Sequence, residues 1–165
     1  ILNCCLNLLG CYNVKINELY SLINELSHLN NINFVYKPHT RKGLHLIDTQ
    51  KLHGLDASGT SSVLLSEWAG FGIVYGSSIG FQFLIDKVPL IIPSFVHSNK
   101  TIYETDRVTI SVNTLEELSS LVCRPKSEIV NLIDQNKVDV FIDNAIYGDN
   151  RDNMMDIYCS FSDCC

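Results

Sequence analysis

The chain has 165 residues, of which 46% are hydrophobic and 18% are charged, and its formal net charge is −6. This length suits one domain with a buried core, and the composition is that of globular proteins. The acidic balance argues against a general nucleic-acid-binding surface, which is normally basic. The apolar stretches, such as residues 88–96, are far shorter than the ~20 residues that span a bilayer, so we expect no transmembrane helix.

The seven cysteines lack the spacing of a metal site or a disulfide framework. Their number is odd, no CxxC pattern occurs, and neighbouring cysteines cannot bridge each other without strain. Zinc sites and disulfide frameworks need regular spacings. We therefore expect reduced thiols in a cytosolic protein, and no metal. The cysteines are Cys4, Cys5, Cys11, Cys123, Cys159, Cys164 and Cys165.

Apolar patterns predict the elements of the first third of the chain. Residues 1–9 form an apolar run that predicts a strand, and residues 32–36 predict a second strand. Between them, leucine and isoleucine recur three and four residues apart over residues 17–29, which is the pattern of an amphipathic helix. Residues 40–60 are irregular, with a weak strand at 44–47.

From residue 61 onward the chain predicts alternating short helices and strands. A capping box, in which Thr114 and Glu117 satisfy free amides, begins one of these helices, and Pro125 suits the first turn of another. The tail from Val138 onward is expected to end in a helix. The predicted elements are a helix at 61–68, a strand at 71–75, a helix at 78–86, a strand at 89–95, a loop at 96–106, a strand at 108–112, and helices at 115–122 and 125–135.

This alternation predicts one α/β domain over residues 1–165, with a Rossmann-like parallel sheet and helices on both of its faces. Right-handed crossovers follow from the twist of the strands. Apolar runs such as residues 71–75 are typical of parallel strands that are buried on both sides. We also expect Leu64, Leu65 and Trp68 to lie in the core.

Basic residues and a histidine follow the strand at residues 32–36. Lys37, His39 and Arg41 come directly after it, and Pro38 restrains the loop that carries them. An open α/β sheet binds its ligand outside the carboxyl ends of its strands. An imidazole can donate a hydrogen bond to a phosphate oxygen, and protonation strengthens that bond. We therefore predict phosphate contacts here, although a histidine in a surface loop most often has no function.

The strand at residues 71–75 is followed by Gly76, Ser77 and Ser78, which we name the serine turn. The turn opens a predicted helix, so backbone N–H groups, the helix dipole and two hydroxyls could all meet an anion there. Gly76 and Gly80 would let a phosphate approach the backbone. The alternative is that a serine only caps the helix. The turn is not a P-loop, because the GxxxxGK[ST] pattern is missing.

Polar residues also follow the strand at residues 89–95. His97, Asn99 and Glu104 lie in the next loop, and Glu104 could accept hydrogen bonds from ribose hydroxyls, as acidic residues do in nucleotide-binding folds. We expect this loop to contact the diphosphate or the ribose and to become ordered when ligand binds, because a rigid sheet positions the loops at its edge. The alternative is a solvated loop.

Taken in order, these segments resemble the donor-binding half of GT-B glycosyltransferases. The resemblance rests on Lys-Pro-His at 37–39, on the serine turn, on Lys-Val-Pro-Leu-Ile-Ile-Pro at 87–93 and on Thr-Ile-Tyr-Glu at 101–104. Within that fold the chain is most similar to the capsule-polysaccharide and polysialyltransferase type enzymes and to the CDP-glycerol glycerophosphotransferases of teichoic acid synthesis. The similarity covers roughly residues 32–120.

In those families a histidine and a serine pair bind the phosphate and the ribose of a cytidine-nucleotide donor. The resemblance assigns these roles to His39, as the catalytic residue, and to the serine turn. Thr40 stands where many relatives have a proline. The resemblance implies a nucleotide-activated donor, linked to CMP, CDP or UDP, as the substrate, and no other cofactor or metal.

The resemblance also implies that this chain is one domain of a longer protein. GT-B enzymes place the active site between two Rossmann-like domains, and the matched segments belong to the C-terminal one. A missing N-terminal domain would bind the acceptor, a glycan or a lipid-linked polymer, so this chain alone should bind donor with little turnover. The protein is expected in the cytoplasm, with peripheral association at the inner face of the membrane as one option.

Two other functions stay open on the sequence. UDP-sugar 2-epimerases share the GT-B architecture and a histidine at a strand end, but they generally carry an acidic, glycine-containing stretch in place of the serine turn. A non-catalytic nucleotide-binding module is the other alternative. A receiver domain that accepts a phosphoryl group is excluded, because residues 10–13 follow the first strand without a carboxylate.

Overall fold

The centre of the molecule is a parallel β-sheet. The structure, a computed structural model, describes residues 2–8, 15–29, 32–38, 49–146 and 148. All neighbouring strands within these ranges pair in parallel, so the predicted α/β class is confirmed. The six strands are β1 (Leu2–Leu8), β2 (Ile32–Tyr36), β3 (Leu55–Asp56), β4 (Phe71–Tyr75), β5 (Leu90–Pro93) and β6 (Ile110–Val112).

Helices connect most of the strands. Leu19, Ile23 and Leu26 of the first helix are buried, at the three- and four-residue spacing that predicted it. Single turns of 3₁₀-helix lie at Thr49–Lys51 and Ser94–Val96. In the described ranges, no helix has the length and apolar character needed to cross a membrane. The helices are α1 (Lys15–Leu29), α2 (Ser62–Trp68), α3 (Ile79–Ile85), α4 (Ile102–Thr105), α5 (Leu115–Val122), α6 (Lys126–Val130) and α7 (Gln135–Ile146).

The strand order is β3-β2-β1-β4-β5-β6, which is the order of doubly wound dinucleotide-binding folds. The chain progresses from β1 to β3 in one direction across the sheet and from β4 to β6 in the other. Cys4 of β1 pairs with both Phe34 of β2 and Phe71 of β4. The crevice beyond the carboxyl ends of β1 and β4 is therefore the topological switch point, the place where such sheets bind ligands.

Helices cover both faces of the sheet. Right-handed crossovers place the helices of the two halves on opposite faces, because the halves progress in opposite directions. α1 packs against α5 on one face, and α2 and α7 both pack against α3 on the other. Every residue of β4 and β5 is buried between these layers. This burial explains why the two strands are apolar without a polar alternation.

Most predicted elements are present, and the differences have local causes. β2, β4 and α5 have the predicted bounds. β3 was not predicted, because it has only two residues and both are exposed. The loop predicted at 96–106 contains the one-turn helix α4, and the helix predicted at 125–135 divides into α6 and the start of α7. The strand predicted at 44–47 lies outside the described residues.

The prediction that Leu64 and Trp68 lie in the core is wrong. Leu65 is buried, but Leu64 is 58% exposed, Trp68 is 37% exposed and Val63 is 47% exposed. α2 is only seven residues long and buries Leu65 and Ser66 alone. The hydroxyl of Ser66 donates to the Asp86 carboxylate. A polar contact therefore occupies part of the inner face of α2, where an apolar packing surface was expected.

Candidate functional site

The carboxyl ends of β2, β4 and β5 lie at one edge of the sheet, and β2 ends two residues before the level at which β4 and β5 end. Leu6 of β1 pairs with Tyr36 of β2 and with Ile73 of β4, and Ile73 pairs in turn with Ile91 of β5. Neighbouring strands are about 4.8 Å apart and each residue rises about 3.3 Å, so with this two-residue stagger the ends of β2 and β4 are roughly 12 Å apart across β1. The three polar segments that follow these strands therefore share the edge that contains the switch point.

The serine turn continues β4 at the switch point. Gly76 has a φ of +64°, in the left-handed region that glycine adopts without steric cost. Gly76 and Ser78 are exposed, whereas Ser77 is buried with 4% of its surface accessible. The turn therefore exposes two of its three residues at the carboxyl edge of the sheet and buries the third.

The side chain of Ser78 does not cap α3. Ser78 occupies the N-cap position with a helical backbone, and its hydroxyl makes no capping hydrogen bond. By contrast, the hydroxyls of Ser61, Thr101 and Thr114 each accept a bond from an amide of the helix that they precede. The explanation of Ser78 as a capping side chain is therefore wrong. Its hydroxyl serves no amide of α3 and can serve a ligand.

Gly80 makes room for an aromatic ring and not for a ligand. A Cβ at Gly80 would lie 2.7 Å from Cζ and 2.8 Å from the hydroxyl oxygen of Tyr103. The expectation that Gly80 opens the backbone to a phosphate is therefore wrong. The Tyr103 hydroxyl donates to the carbonyl oxygen of Ser77 at 3.0 Å. Sequence reasoning gave Tyr103 no role, because nothing in its local pattern indicates this contact.

The loop after β5 is attached to the end of β4. The Tyr75 hydroxyl donates to the carbonyl oxygen of Asn99 at 2.7 Å, and the ring centroids of Tyr75 and His97 are 5.4 Å apart. Nδ1 of His97 accepts from the backbone N–H of Asn99 at 2.9 Å. A neutral His97 must therefore carry its proton on Nε2, which makes that atom a hydrogen-bond donor. Asn99 contributes its main chain to both contacts.

The Glu104 carboxylate already has three intramolecular donors. It accepts from the backbone N–H of Thr101 at 2.7 Å, from the Thr101 hydroxyl at 3.0 Å and from the Ser94 hydroxyl at 2.5 Å. The Thr101 hydroxyl accepts in turn from the Glu104 N–H at 3.3 Å, which completes a capping box. These bonds attach α4 to the end of β5. A ribose hydroxyl would have to compete with them for Glu104.

Lys37 is the one described residue of the basic cluster that follows β2. Its ammonium group donates to the carbonyl oxygen of Thr60 and, at 3.5 Å, to that of Ser58. These carbonyls belong to the segment between β3 and α2, so Lys37 joins two loops at the same edge. His39 and Arg41 lie outside the described residues.

Two tyrosines at this edge have raised pKa values. Burial, and secondarily the negative charge of Glu104, raises the pKa of Tyr75 above its ordinary value of 10.0. Burial raises the pKa of Tyr103 to about 12. Both hydroxyls are therefore protonated at neutral pH and act there as hydrogen-bond donors to the carbonyls of Asn99 and Ser77.

The described groups at this edge can bind an anion or a polyol through hydrogen bonds. The Ser78 hydroxyl and the Nε2–H of a neutral His97 are donors, and Lys37 carries a positive charge. Within the parts of the chain that the structure describes, no three His, Cys, Asp or Glu residues are grouped to hold a metal ion. A groove of about 530 Å³ along α7, lined by Asp106, Asn136, Lys137, Val140, Phe141, Asn144 and Ala145, contains none of the predicted site residues.

The chain was also compared with known proteins. No model of a known protein family matches it, and no curated protein sequence matches it significantly.

Proposed function

We propose that this chain binds a nucleotide-activated donor at the switch point of its sheet. It is then the donor-binding domain of a cytoplasmic GT-B transferase that builds a surface polysaccharide or a teichoic-acid-like polymer. The proposal rests on the position of the serine turn, which follows β4 next to β1, where the strand order reverses. Ligands of doubly wound sheets bind at this position.

The chemistry of the exposed groups supports a phosphate-bearing ligand. Ser78 offers an exposed hydroxyl that caps no helix. Gly76 is exposed too, and it has no side chain that would cover its main chain. Lys37 follows β2 and His97 follows β5, so together with the serine turn after β4 they place hydrogen-bond donors at the ends of three strands. Hydrogen bonds from such groups to a charged phosphate are roughly twice as strong as neutral ones.

In this proposal an acceptor hydroxyl attacks the anomeric carbon of the donor, with inversion, as the bond to the nucleotide phosphate breaks. For glycerol-phosphate transfer the hydroxyl attacks phosphorus instead. Negative charge grows on the departing phosphate in both cases, and donors that are already oriented stabilise it without reorganisation. His39 and the serine turn take this role, with Arg41 adding positive charge, and the general base comes from the acceptor domain.

Calorimetric titration of the chain with CMP, CDP and UDP tests this proposal. We expect heat with a cytidine nucleotide and weaker binding in His39→Ala and Ser78→Ala, by ~1–3 kcal/mol for His39, the contribution of one charge-assisted hydrogen bond. Ser120→Ala, an exposed serine of α5 on the other face of the sheet, is the matched control and should bind like the wild type.

Each other outcome has a defined meaning. The absence of heat with all three nucleotides would overturn the proposal. A preference for UDP would favour the epimerase alternative, and wild-type affinity in His39→Ala would remove that histidine from the site. Wild-type affinity in Ser78→Ala would show that the Ser78 hydroxyl does not contact the phosphate.

A further inference from the structure

Tyr103 connects the serine turn to the helical layer behind it. Its ring is 3% exposed, although α4, which carries it, is a single turn near the surface. The hydroxyl donates to the carbonyl oxygen of Ser77, which also accepts from the N–H of Gly80 at 3.2 Å. The Ser77 carbonyl thus accepts one hydrogen bond from the first turn of α3 and one from α4.

The ring of Tyr103 is fixed from three sides. Gly80 faces it without a side chain, and a Cβ there would lie 2.7 Å from Cζ. Phe81 of α3 and Phe141 of α7 pack edge-on against it, with centroid distances of 5.3 and 6.0 Å, and these two phenylalanines stack on each other at 5.7 Å. Contacts of this number and geometry leave the hydroxyl one position, opposite Ser77.

The helix that carries Tyr103 is itself anchored. The Glu104 carboxylate closes the capping box with Thr101, and it also accepts from the Ser94 hydroxyl, which ties α4 to the residue that follows β5. The Tyr103 hydroxyl therefore reaches the serine turn from α4, which is itself bound to the end of β5. The serine turn is part of neither α4 nor β5.

We propose that Tyr103 is a positioning residue, which holds the main chain of the serine turn in the conformation that binds the donor. The hydroxyl acts through the Ser77 carbonyl and does not touch the ligand. The part of this inference that concerns donor affinity rests on the proposed function. The part that concerns the conformation of the turn does not, and it can be measured in the free protein.

The test compares Tyr103→Phe with Tyr20→Phe. Both variants remove one hydroxyl from a tyrosine that is at most 4% exposed, but Tyr20 lies on α1, on the other face of the sheet. Hydrogen exchange of residues 76–81 in the free protein should accelerate roughly 2- to 10-fold in Tyr103→Phe, the range that one hydrogen bond contributes, and should stay unchanged in Tyr20→Phe. Cytidine-nucleotide affinity should fall by a similar factor only in Tyr103→Phe.

Phenylalanine keeps the ring and removes only the hydroxyl. If Tyr103 serves packing alone, Tyr103→Phe will therefore show wild-type hydrogen exchange at residues 76–81 and wild-type nucleotide affinity. That result, or an equal effect of Tyr20→Phe, overturns the proposal. If the wild type binds no nucleotide, the proposed function fails, and the exchange of residues 76–81 still decides the role of Tyr103. If Tyr103→Phe does not fold, Gly80→Ala perturbs the same contact from the other side, and unchanged exchange at 76–79 in that variant contradicts the inference.

Discussion

Single residues at the carboxyl edge acquire their roles from partners that are distant in the chain. Residue type and position predicted that Glu104 meets a ribose, that Gly80 admits a phosphate and that Ser78 could be a helix cap. In the structure Glu104 holds Thr101 and Ser94, Gly80 accommodates Tyr103, and Ser78 occupies the N-cap position without a capping bond from its hydroxyl. Tyr103 and Ser77 are separated by 26 positions in the sequence, and no local pattern reports a contact over that distance.

The raised pKa of Tyr103 predicts a loss of stability in alkali. Tyrosine loses its proton near pH 10 in the unfolded chain, and Tyr103 loses it at about 12 in the native state. Between these values the native state holds a proton that the unfolded state has released, so the free energy of unfolding falls as pH rises. Urea unfolding from pH 9 to 11.5 should therefore show a shallower decline in Tyr103→Phe than in the wild type. Parallel curves would contradict this prediction.

At the scale of the elements, a capping residue predicted the start of α5. The Thr114 hydroxyl accepts from the Glu117 N–H at 3.1 Å, which confirms the predicted cap of α5. The Glu117 carboxylate accepts at 2.6 Å from the N–H of Asn113, one residue before the N-cap, and not from Thr114 as a capping box requires. The same Thr-x-x-Glu pattern begins at Thr101 and marks α4, which was interpreted as loop. A single turn lacks the apolar repeat that would have supported the pattern.

Removing the cap of α5 should destabilise the protein measurably. Thr114→Ala loses the hydrogen bond to the Glu117 amide and should lower the free energy of unfolding by ~1 kcal/mol. Urea denaturation of the whole chain measures this change. Ser120→Ala replaces an exposed serine within the same helix, where alanine is the better helix former, so its stability should be equal to or above that of the wild type. An equal loss in both variants would show that the cap contributes nothing.

The loop after β5 should be ordered before any ligand binds. The sequence predicted that it becomes ordered on binding, but the Asn99 carbonyl is held by Tyr75 and α4 is closed by its capping box. The amides of Thr105 and Asp106 donate to the carbonyls of Thr101 and Ile102. We therefore expect hydrogen exchange of residues 101–106 to be slow in the free protein and to change little with CDP. Protection that arises only with nucleotide would restore the original expectation.

Elements were predictable in proportion to their length and burial. β4 and β5 are wholly buried and read as uninterrupted apolar runs, and α1 repeats its buried residues over 15 positions. β3 has two exposed residues and α4 has four residues in all, so neither is long enough to establish a period. The boundary of β5 was placed too late, because the apolar run continues into the 3₁₀ turn Ser94–Val96.

For the molecule as a whole, alternation of strands and helices predicted the class of the fold and the edge that carries the polar residues. The order of the strands is a matter of long-range pairing, which apolar runs alone do not encode. The order β3-β2-β1-β4-β5-β6 brings the end of β4 beside β1 and sets the segments after β2 and β5 on its two flanks. That order turns three separate polar segments of the sequence into one candidate site.

The exposure of α2 has a practical consequence for optical measurements on this protein. Trp68 is the only tryptophan of the chain, and more than a third of its surface, 37%, is in contact with solvent. Indole emission responds to the polarity around the ring, so we expect unfolding to shift the emission of Trp68 less than that of a fully buried indole. Buried rings such as Tyr20 and Tyr103 respond to the core instead. We therefore expect melting curves excited selectively at tryptophan to report on the surroundings of α2, and curves that also excite tyrosine to report on the core.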